Sequence, residues 1–404
     1  MGSSGRGQRI GRARRRRGLS QATLAGLVGR SESWLSQVER GLRSIDSHTV
    51  LNSLAEILRV DVTELTGGDS AEPHTSRFSA AQEIERAMMA YEGLESLIGS
   101  DMAKGPPGIE RLTAVTERVG RSYQAARYEE AGRMLPALIR AVEVATRTAP
   151  RQDAPTVNIL RSQVYQAAAM VLSRVSDTSL AWTAADRAMT AAEHAEAGLM
   201  AATSAFRLTH VFIRRKCTTQ ARDLAAAAVV ALNRSGETDE PARLSITGSL
   251  HLADSLAAAT EFDRASADRS LAQAQRIADC LGRDRNDHWT AFGPTNVRIH
   301  RISAAVAFGD ADTAVQTSEA LDLRRLPDGL SARRSQVSLD LARAYAQQRH
   351  DAAAVNMLQD AERIAPQLVR YDAATHDLLA LLLRREHRAS TPQLRPLAQR
   401  AGVI

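Results

Sequence analysis

Polar side chains that can recognise a partner by hydrogen bonds lie at helical spacing just after residue 30. They comprise a carboxylate, two hydroxyls and an amide: Glu32, Ser33, Ser36 and Gln37. Leu35 and Val38 fit the buried stripe of the same short helix, which turns the polar set outward. Such groups offer hydrogen-bond donors and acceptors to a partner outside the chain. The chemistry that this pattern predicts is therefore recognition.

Two short helices joined by a tight turn must position this polar set. Ser20 and Ser31 are the N-caps predicted for the two helices, and Gly29 makes the turn between them. The inward stripe predicted for the first helix consists of Leu24, Leu27 and Val28.

Further helices on either side complete a small core. A basic helix over residues 8–17 is predicted to end at Gly18, which suits the left-handed conformation at a helix C-terminus. A fourth helix is predicted over residues 48–58, and Val62 and Leu65 indicate a short fifth one. The first 66 residues are therefore predicted to form one five-helix domain.

The positive charge of the chain is concentrated in this domain. The net charge is +6, and residues 1–66 hold eleven Arg against six Asp or Glu, a net of +5. The remaining residues are almost neutral. This distribution is typical of a nucleic-acid-binding module joined to a neutral body.

The order of these elements resembles the Cro/cI-type helix-turn-helix family, also called XRE. The resemblance covers about residues 8–65. It is carried by Leu19-Ser20-Gln21, by Ala25 and Gly29 at the turn, and by Leu35-Ser36-Gln37-Val38-Glu39-Arg40-Gly41. It implies a recognition helix over residues 31–40 in the major groove of double-stranded DNA, with its first half against the base edges.

The resemblance also implies roles for single residues. Glu32, Ser33 and Gln37 would read bases, and Ser36 shares their face. Gln21 would bond the phosphate backbone. The sequence-independent phosphate contacts would come from Arg43 and some of Arg12, Arg15 and Arg16.

Four residues of this domain have alternative roles. Ser31 either caps the recognition helix or contacts a base. Trp34 either packs against the second helix or stacks on the sugar-phosphate backbone. Arg14 and Glu39 occupy positions that form a partly buried ion pair in the family, so we expect a structural role for both.

An alanine-rich array of helices is predicted for the rest of the chain. After a linker over residues 67–78, residues 79–404 are predicted to form the second domain. From residue 109 onward it repeats an Ala-rich helix, a short polar turn and a second helix with Ala in its first turn. The aligned alanines are Ala131, Ala181, Ala221, Ala265, Ala314 and Ala354, which lie 50, 40, 44, 49 and 40 residues apart. This resembles the tetratricopeptide repeat, whose period is about 34 residues. The whole chain is then all-α: a helix-turn-helix domain followed by an α-solenoid of tetratricopeptide-like helix pairs, whose concave surface suits a peptide, small molecule or protein.

Two segments of the array have two interpretations each. The apolar residues over 80–98 recur at spacings of three and four, and form either a dimer seam or the first helix of the array. In residues 283–302, Trp289 and Phe292 lie beside Gly-Pro. They belong either to a ligand site, with Asn296, Arg298 and Arg301 as its polar groups, or to a loop that the two aromatics pin to the core.

The sequence lacks the motifs of several common binding sites and catalytic sites. There is no Gly-rich phosphate loop, no His-Glu-x-x-His and no Cys-x-x-Cys. We therefore expect no catalytic residues, no metal and no cofactor. Cys217 follows three basic residues and is either a reactive thiol or an idle one. Two cysteines and the absence of long apolar runs favour a cytoplasmic protein that does not engage a membrane.

Together these features predict a sequence-specific transcriptional regulator of actinobacterial type. The actinobacterial origin is inferred from the predominance of Arg over Lys, which we interpret as the codon bias of a GC-rich genome. The regulator would bind an operator as a homodimer, and its repeats would sense a ligand or partner. The alternative is an interaction adaptor in which the repeats carry the function and the N-terminal domain only docks or tethers.

Overall fold

The computed structural model describes residues 3–43, 45, 48–58, 60, 65, 78, 80–90, 108–175, 178–236, 238–387 and 389–404. The chain divides into two compact units, Met1–Arg77 and Phe78–Ile404. Every regular element in the described ranges is a helix, which confirms the all-α prediction. None of the helices in these ranges is long and apolar enough to cross a lipid bilayer.

The first unit contains four described helices around one apolar core. They are α1 (Ser3–Arg16), α2 (Gln21–Leu27), α3 (Glu32–Glu39) and α4 (His48–Leu58). Ile10, Leu24, Leu35 and Leu54, one from each helix, are fully buried together. Leu65 is also buried in this core, whereas Val62, the other residue of the predicted fifth helix, lies outside the described residues.

The predicted inward stripe of α2 is wrong at one residue, Leu27. Leu27 is 59% exposed, while Leu24 and Ala25 are buried and Val28 is half-buried. A helix turns by about 100° per residue, so a buried face centred between positions 24 and 25 includes position 28 and leaves position 27 outside. Because Ala25 is part of the core, the buried face of α2 does not include Leu27.

The second unit is built mainly from helices packed in consecutive antiparallel pairs. Its elements are α5 (Ala80–Met89), α6 (Ile109–Gln124), α7 (Tyr128–Thr148), α8 (Ala154–Arg174), α9 (Thr178–His194), α10 (Gly198–Arg214), α11 (Thr218–Arg234), α12 (Glu240–Thr260), α13 (Arg264–Leu281), α14 (Pro294–Ala307), α15 (Ala311–Glu319), α16 (Ser331–Gln347), α17 (Asp351–Ile364), α18 (Pro366–Tyr371), α19 (Ala373–Arg384) and α20 (Leu394–Ala401). Six pairs run from α6 with α7 to α16 with α17, and each pair packs on the next. The predicted architecture of stacked helix pairs is confirmed.

A common turn joins the two helices in five of these pairs. Its left-handed residue is Ala126, Lys216, Phe262, Gly309 or Arg349. In each case the next amide donates to the carbonyl five positions back at 2.8–2.9 Å, as in a Schellman motif. The alanine five positions after the left-handed residue is fully buried in every pair: Ala131, Ala221, Ala267, Ala314 and Ala354.

This turn corrects one of the predicted alanine positions. Ala265 is exposed and Ala267 is the buried one, because the left-handed residue of that turn is Phe262. Two positions along a helix are about 200° apart, so residues 265 and 267 face opposite ways. Ala181, whose turn lies partly outside the described residues, is fully buried as well.

The described part of the possible dimer seam is covered by the chain itself. Helix α5 packs on α7, and its Ile84 and Ala87 are buried there. Residues 91–98, the rest of the predicted seam, lie outside the described residues. Residues 80–89 therefore belong to the helical array.

The ends of the array meet each other. Helix α16 contacts α6. Glu129 at the start of α7 accepts hydrogen bonds from Tyr371 at 2.9 Å and from Arg370 at 3.3 Å. The first helices of the pairs consequently surround a common interior.

Candidate nucleic-acid interface and ligand cavity

The N-termini of α2 and α3 are fixed by their own serines. Ser20 Oγ accepts from the amide of Thr23 at 3.0 Å, and Ser31 Oγ accepts from the amide of Trp34 at 3.2 Å. Both predicted caps are confirmed. A side-chain oxygen at this position satisfies one of the free amides at the start of a helix.

A buried ion pair holds α3 against α1. Arg14 Nε and Nη2 donate to the two carboxylate oxygens of Glu39 at 2.6 and 3.0 Å. The side chains are only 11% and 8% exposed. Burial raises the pKa of the Glu39 carboxyl, but the hydrogen bonds from Arg14 and Gln21 outweigh it, so this pKa lies below its ordinary value. The predicted structural role of the pair is confirmed.

Gln21, the expected phosphate anchor, is attached to the same carboxylate. Its Nε2 donates to Glu39 Oε2 at 2.8 Å, and the residue is half-buried. An amide nitrogen carries two hydrogens, so one donor remains after this bond. The structure thus gives Gln21 a scaffold role that sequence reasoning missed, and its phosphate contact stays a prediction.

The predicted recognition residues form one accessible edge of α3. Ser31, Glu32 and Ser33 are exposed, while Ser36 and Gln37, one turn later, are half-buried. Residues four apart on a helix are neighbours on its surface, which groups Glu32 with Ser36 and Ser33 with Gln37. The edge combines carboxylate, hydroxyl and amide groups within two helical turns.

Trp34 and Arg43 border this edge differently. Trp34 is half-buried against the apolar core of its unit, and the Arg30 guanidinium lies 5.8 Å from its ring centroid. This packing favours the structural interpretation of Trp34. Arg43 is exposed, as a phosphate-contacting residue must be.

In the second unit, the segment singled out in the sequence is a strap, residues 283–293, that crosses the interior of the array. Phe292 is fully buried against α12, where a methyl group at Gly248 would lie 1.9 Å from its Cζ. Trp289 lies against α6, where a methyl group at Gly120 would lie 2.4 Å from its Cζ2. The two aromatics therefore pin the strap to two helices through glycine contacts.

Hydrogen bonds from the array hold the backbone of the strap in an unusual conformation. His288, Trp289 and Ala291 have φ values of 47°, 58° and 54°. Arg207 Nη2 donates to the carbonyls of His288 at 2.9 Å and Trp289 at 3.1 Å. Non-glycine residues adopt this backbone region only when the surroundings impose it, and they concentrate at functional sites.

A cavity of about 560 Å³ lies beside the strap. Its wall is made by Trp289, Thr290 and Ala291 of the strap and by the first helices of the pairs, α6, α8, α10, α12, α14 and α16. This volume is typical of a small-molecule site.

Most of the predicted pocket residues lie elsewhere. Trp289 lines the cavity, but Phe292 is core and Asn296 is buried outside the cavity wall. Arg298 is exposed and donates to the carbonyl of Ala320 at 3.1 Å, and Arg301 is exposed as well. The prediction was therefore correct in assigning the strap to the site. It chose the wrong face of α14, the helix that follows the strap.

The inward face of α14 belongs instead to His300, Ser303 and Ala307, which line the cavity. Their spacing of three and four gives one helical stripe, and Arg298 and Arg301 are rotated away from it. A similar stripe, Arg207, His210 and Arg214, contains the only ionisable side chains of the described helix α10. This stripe is the signal that could have located the cavity from the sequence.

Comparisons with known proteins bear on the first unit. Residues 7–66 match a family model described as a helix-turn-helix domain. The N-terminal unit is a helix-turn-helix domain. A search among curated proteins found no match.

One comparison with a solved structure spans most of the chain. The chain is similar to the crystal structure of Bacillus thuringiensis PlcR in complex with the peptide PapR7 and DNA, with 13% sequence identity and a TM-score of 0.32. The match covers 87% of this chain and 99% of that chain.

Proposed function

We propose that this protein is a sequence-specific DNA-binding transcriptional regulator whose helical array responds to a ligand in its cavity. The observation that carries the proposal is the accessible edge of α3 within a helix-turn-helix domain. Glu32 and Ser33 stand at the exposed start of that helix, and the Arg14–Glu39 pair fixes its other end. A helix presented by its N-terminal residues is the geometry with which helix-turn-helix domains read the major groove.

The chemistry of the edge suits base edges. A glutamine amide pairs with adenine, a serine hydroxyl bonds donors or acceptors, and a carboxylate accepts from cytosine. The net charge of +5 in residues 1–66 supplies the attraction for phosphates. Gln21 and Arg43 complete the proposed interface, with Gln21 using the donor that Glu39 leaves free.

The finer assignments belong to the same proposal. The domain is of the Cro/cI or XRE kind, the array is of the tetratricopeptide kind, and the origin is actinobacterial. A homodimer reaches useful affinity by placing two α3 helices in successive turns of a pseudo-palindromic operator. The recurring left-handed turn with its buried alanine supports the repeat assignment.

Selection of bound fragments from genomic DNA tests the proposal, followed by titration of the selected fragment at several salt concentrations. We expect the double variant Ser33→Ala with Gln37→Ala to lose sequence preference. Each lost base contact should cost about 1–3 kcal/mol, which is about fivefold to 160-fold in affinity. The matched control removes the same residue types from the array, Ser179→Ala with Gln275→Ala, and should bind like the wild type.

Two results would sink this idea. One is that no fragment binds in a salt-sensitive manner. The other is that the double variant selects the same sequence as the wild type with the same affinity. The second result, with cellular function intact, would instead favour the adaptor in which the N-terminal domain only docks.

A further inference from the structure

The cavity has an imbalance of charge. Five arginines line it, Arg174, Arg207, Arg214, Arg333 and Arg343, against two aspartates, Asp340 and Asp372. They come from three helices, α8, α10 and α16, and one loop, so no continuous run of the sequence contains them. A concave surface with an excess of one sign concentrates ions of the other sign.

The two aspartates are already used by two of the arginines. Arg343 donates to Asp340 at 2.7 Å and to Asp372 at 3.2 Å. Arg174 lies 3.8 Å from the other oxygen of Asp372. Ser303 and Gln336 complete the bonding of Asp340. Burial lowers the pKa of Arg214 and of Arg333, and the charges of Asp372 and Asp340 oppose this fall only from beyond 4.0 Å.

The remaining three arginines, Arg207, Arg214 and Arg333, have no carboxylate within 4.0 Å among the described residues. Arg207 is 7% exposed and bonds only to backbone carbonyls of the strap, and its Nε has no hydrogen-bond partner in the described part of the chain. A guanidinium as buried as that of Arg207 costs free energy without a counter-charge, and an incoming anion would recover it, whereas Arg333 is half-buried and Arg214 is exposed.

Neighbouring titratable groups respond to this positive potential. Burial lowers the pKa of His300 to about 3, and Arg333 contributes to the fall. Burial also lowers the pKa of His210, with the charge of Arg207 acting in the same direction. Burial by itself would raise the pKa of Tyr123, but Arg174 and the other arginines outweigh it and the pKa falls.

Apolar side chains form part of the same wall, namely Met170, Phe206, Leu256 and Trp289. The guanidinium of Arg207 lies 4.8 Å from the ring centroid of Phe206. At about 560 Å³ the cavity is larger than a simple inorganic ion requires and lies in the range of small organic ligands. A ligand that fills it meets both cationic and apolar groups.

We propose that the cavity binds a small organic anion whose carboxylate or phosphate group is held by Arg207, Arg214 and Arg333, with its apolar part against Phe206 and Trp289. This deepens the ligand response proposed above and rests on it. Guanidinium groups suit such oxyanions because their planar donors match two oxygens at once. Since Arg207 also holds the strap, the ligand would contact the residue that fixes the backbone at His288 and Trp289.

Calorimetric titration of the full chain, without DNA, tests the proposal. The probes are phenylacetate, phenyl phosphate, inorganic phosphate and the neutral phenylacetamide, at up to millimolar concentration. We expect the two aromatic anions to bind more tightly than phenylacetamide and than inorganic phosphate. The tighter of the two anions identifies the oxyanion as carboxylate or phosphate.

Neighbouring arginines provide matched controls. Arg214→Gln and Arg333→Gln should each weaken binding of the better anion by about tenfold or more, and Arg333→Lys should retain part of it. The control variants are Arg215→Gln and Arg334→Gln, which change the arginine directly after Arg214 and Arg333 in the sequence. Arg215 bonds to Thr178 at 3.5 Å and Arg334 to Leu326 at 3.0 Å, and neither lines the cavity. Both controls should bind like the wild type.

Four outcomes overturn the proposal. The first is that phenylacetamide binds as tightly as either aromatic anion, and the second is wild-type affinity in both Arg214→Gln and Arg333→Gln. The third is an equal loss of affinity in the two controls, and the fourth is that no anion binds. Because no step contains DNA, these outcomes are independent of the fragment selection that tests DNA binding.

Discussion

The arginines of the helix-turn-helix domain and those of the cavity are organised in opposite ways. Arg14 to Arg17 are consecutive, yet the structure buries Arg14 against Glu39 and leaves Arg15 exposed. The cavity arginines are scattered between positions 174 and 343, yet they line one space. A run of charges spreads around a helix that turns by about 100° per residue, whereas stacked helices can bring distant charges together.

The two sets should therefore respond differently to substitution. In the first unit, exposed arginines act additively through a screened field, and the buried pair maintains the helix they surround. In the cavity, each arginine occupies a specific place. Substitutions at Glu39, Arg12 and Arg333 test this contrast, and those at Gly248 and Ser31 test contacts that position each set. The expected effects decrease from Glu39 to Arg12.

Glu39→Ala should have the largest effect, because it leaves Arg14 buried without its partner. We expect the opening free energy of α3 to fall by about 3–5 kcal/mol. Hydrogen exchange of the α3 amides in the full chain measures this fall. Glu32→Ala, an exposed change in the same helix, is the control and should cost less than about 1 kcal/mol. Equal protection in the wild type and Glu39→Ala would refute the scaffold role.

Acid provides a second readout of the same pair. Since the folded pKa of Glu39 is lowered, its contribution is fully present above the unfolded pKa of about 4.3 and is lost as the pH falls through the folded value. The difference in α3 protection between the wild type and Glu39→Gln should thus shrink below about pH 4.

Gly248→Ala should destabilise the array by about 1–3 kcal/mol, because the new methyl group overlaps the fully buried Phe292 ring. Thermal unfolding measures the loss. Phe292→Leu in the same background should cost less than it does in the wild type, since it removes the overlap. Gly198→Ala, whose nearest neighbour would be Ser235 Cβ at 3.9 Å, is the control. Independent, additive costs of the two changes would argue against the contact.

Ser31→Ala should weaken α3 by about 1 kcal/mol, because the Trp34 amide loses its acceptor. Ser31→Asp should restore the cap. If both variants keep the hydrogen-exchange protection of the α3 amides but lose their sequence preference for DNA, then Ser31 contacts a base. Its role as a helix cap would then be the less important of the two. Hydrogen exchange and fragment selection on the same proteins separate these results.

Arg12→Ala should have the smallest effect. Loss of one phosphate contact should reduce the slope of log affinity against log salt by about 1, with little change in sequence preference. Arg333→Ala, in the cavity, should leave this slope unchanged. An altered slope in Arg333→Ala would show that the arginines of the array also contact DNA, and the contrast between the two sets would fail.

Local features were predictable because their causes lie within one helical turn. Ser20 and Ser31 cap the helices they precede, and a serine oxygen near free amides requires no knowledge of the rest of the chain. The pairing of Arg14 with Glu39 came from family resemblance, since 25 residues separate them. Leu27 and Ala265 were wrongly assigned to buried faces. The buried face at Leu27 depends on how neighbouring helices pack, and that at Ala265 depends on where the turn begins.

The sequence by itself determined the helix-turn-helix domain, the alternation of helices and the importance of the strap. Caps, periodicity and turns encode these features locally. Only the tertiary structure decided that Gln21 supports Glu39, that Arg298 and Arg301 face away, and that His300 and five separate arginines share a cavity. These outcomes depend on how successive helix pairs stack and close, and that stacking sums many weak contacts between residues far apart in the chain.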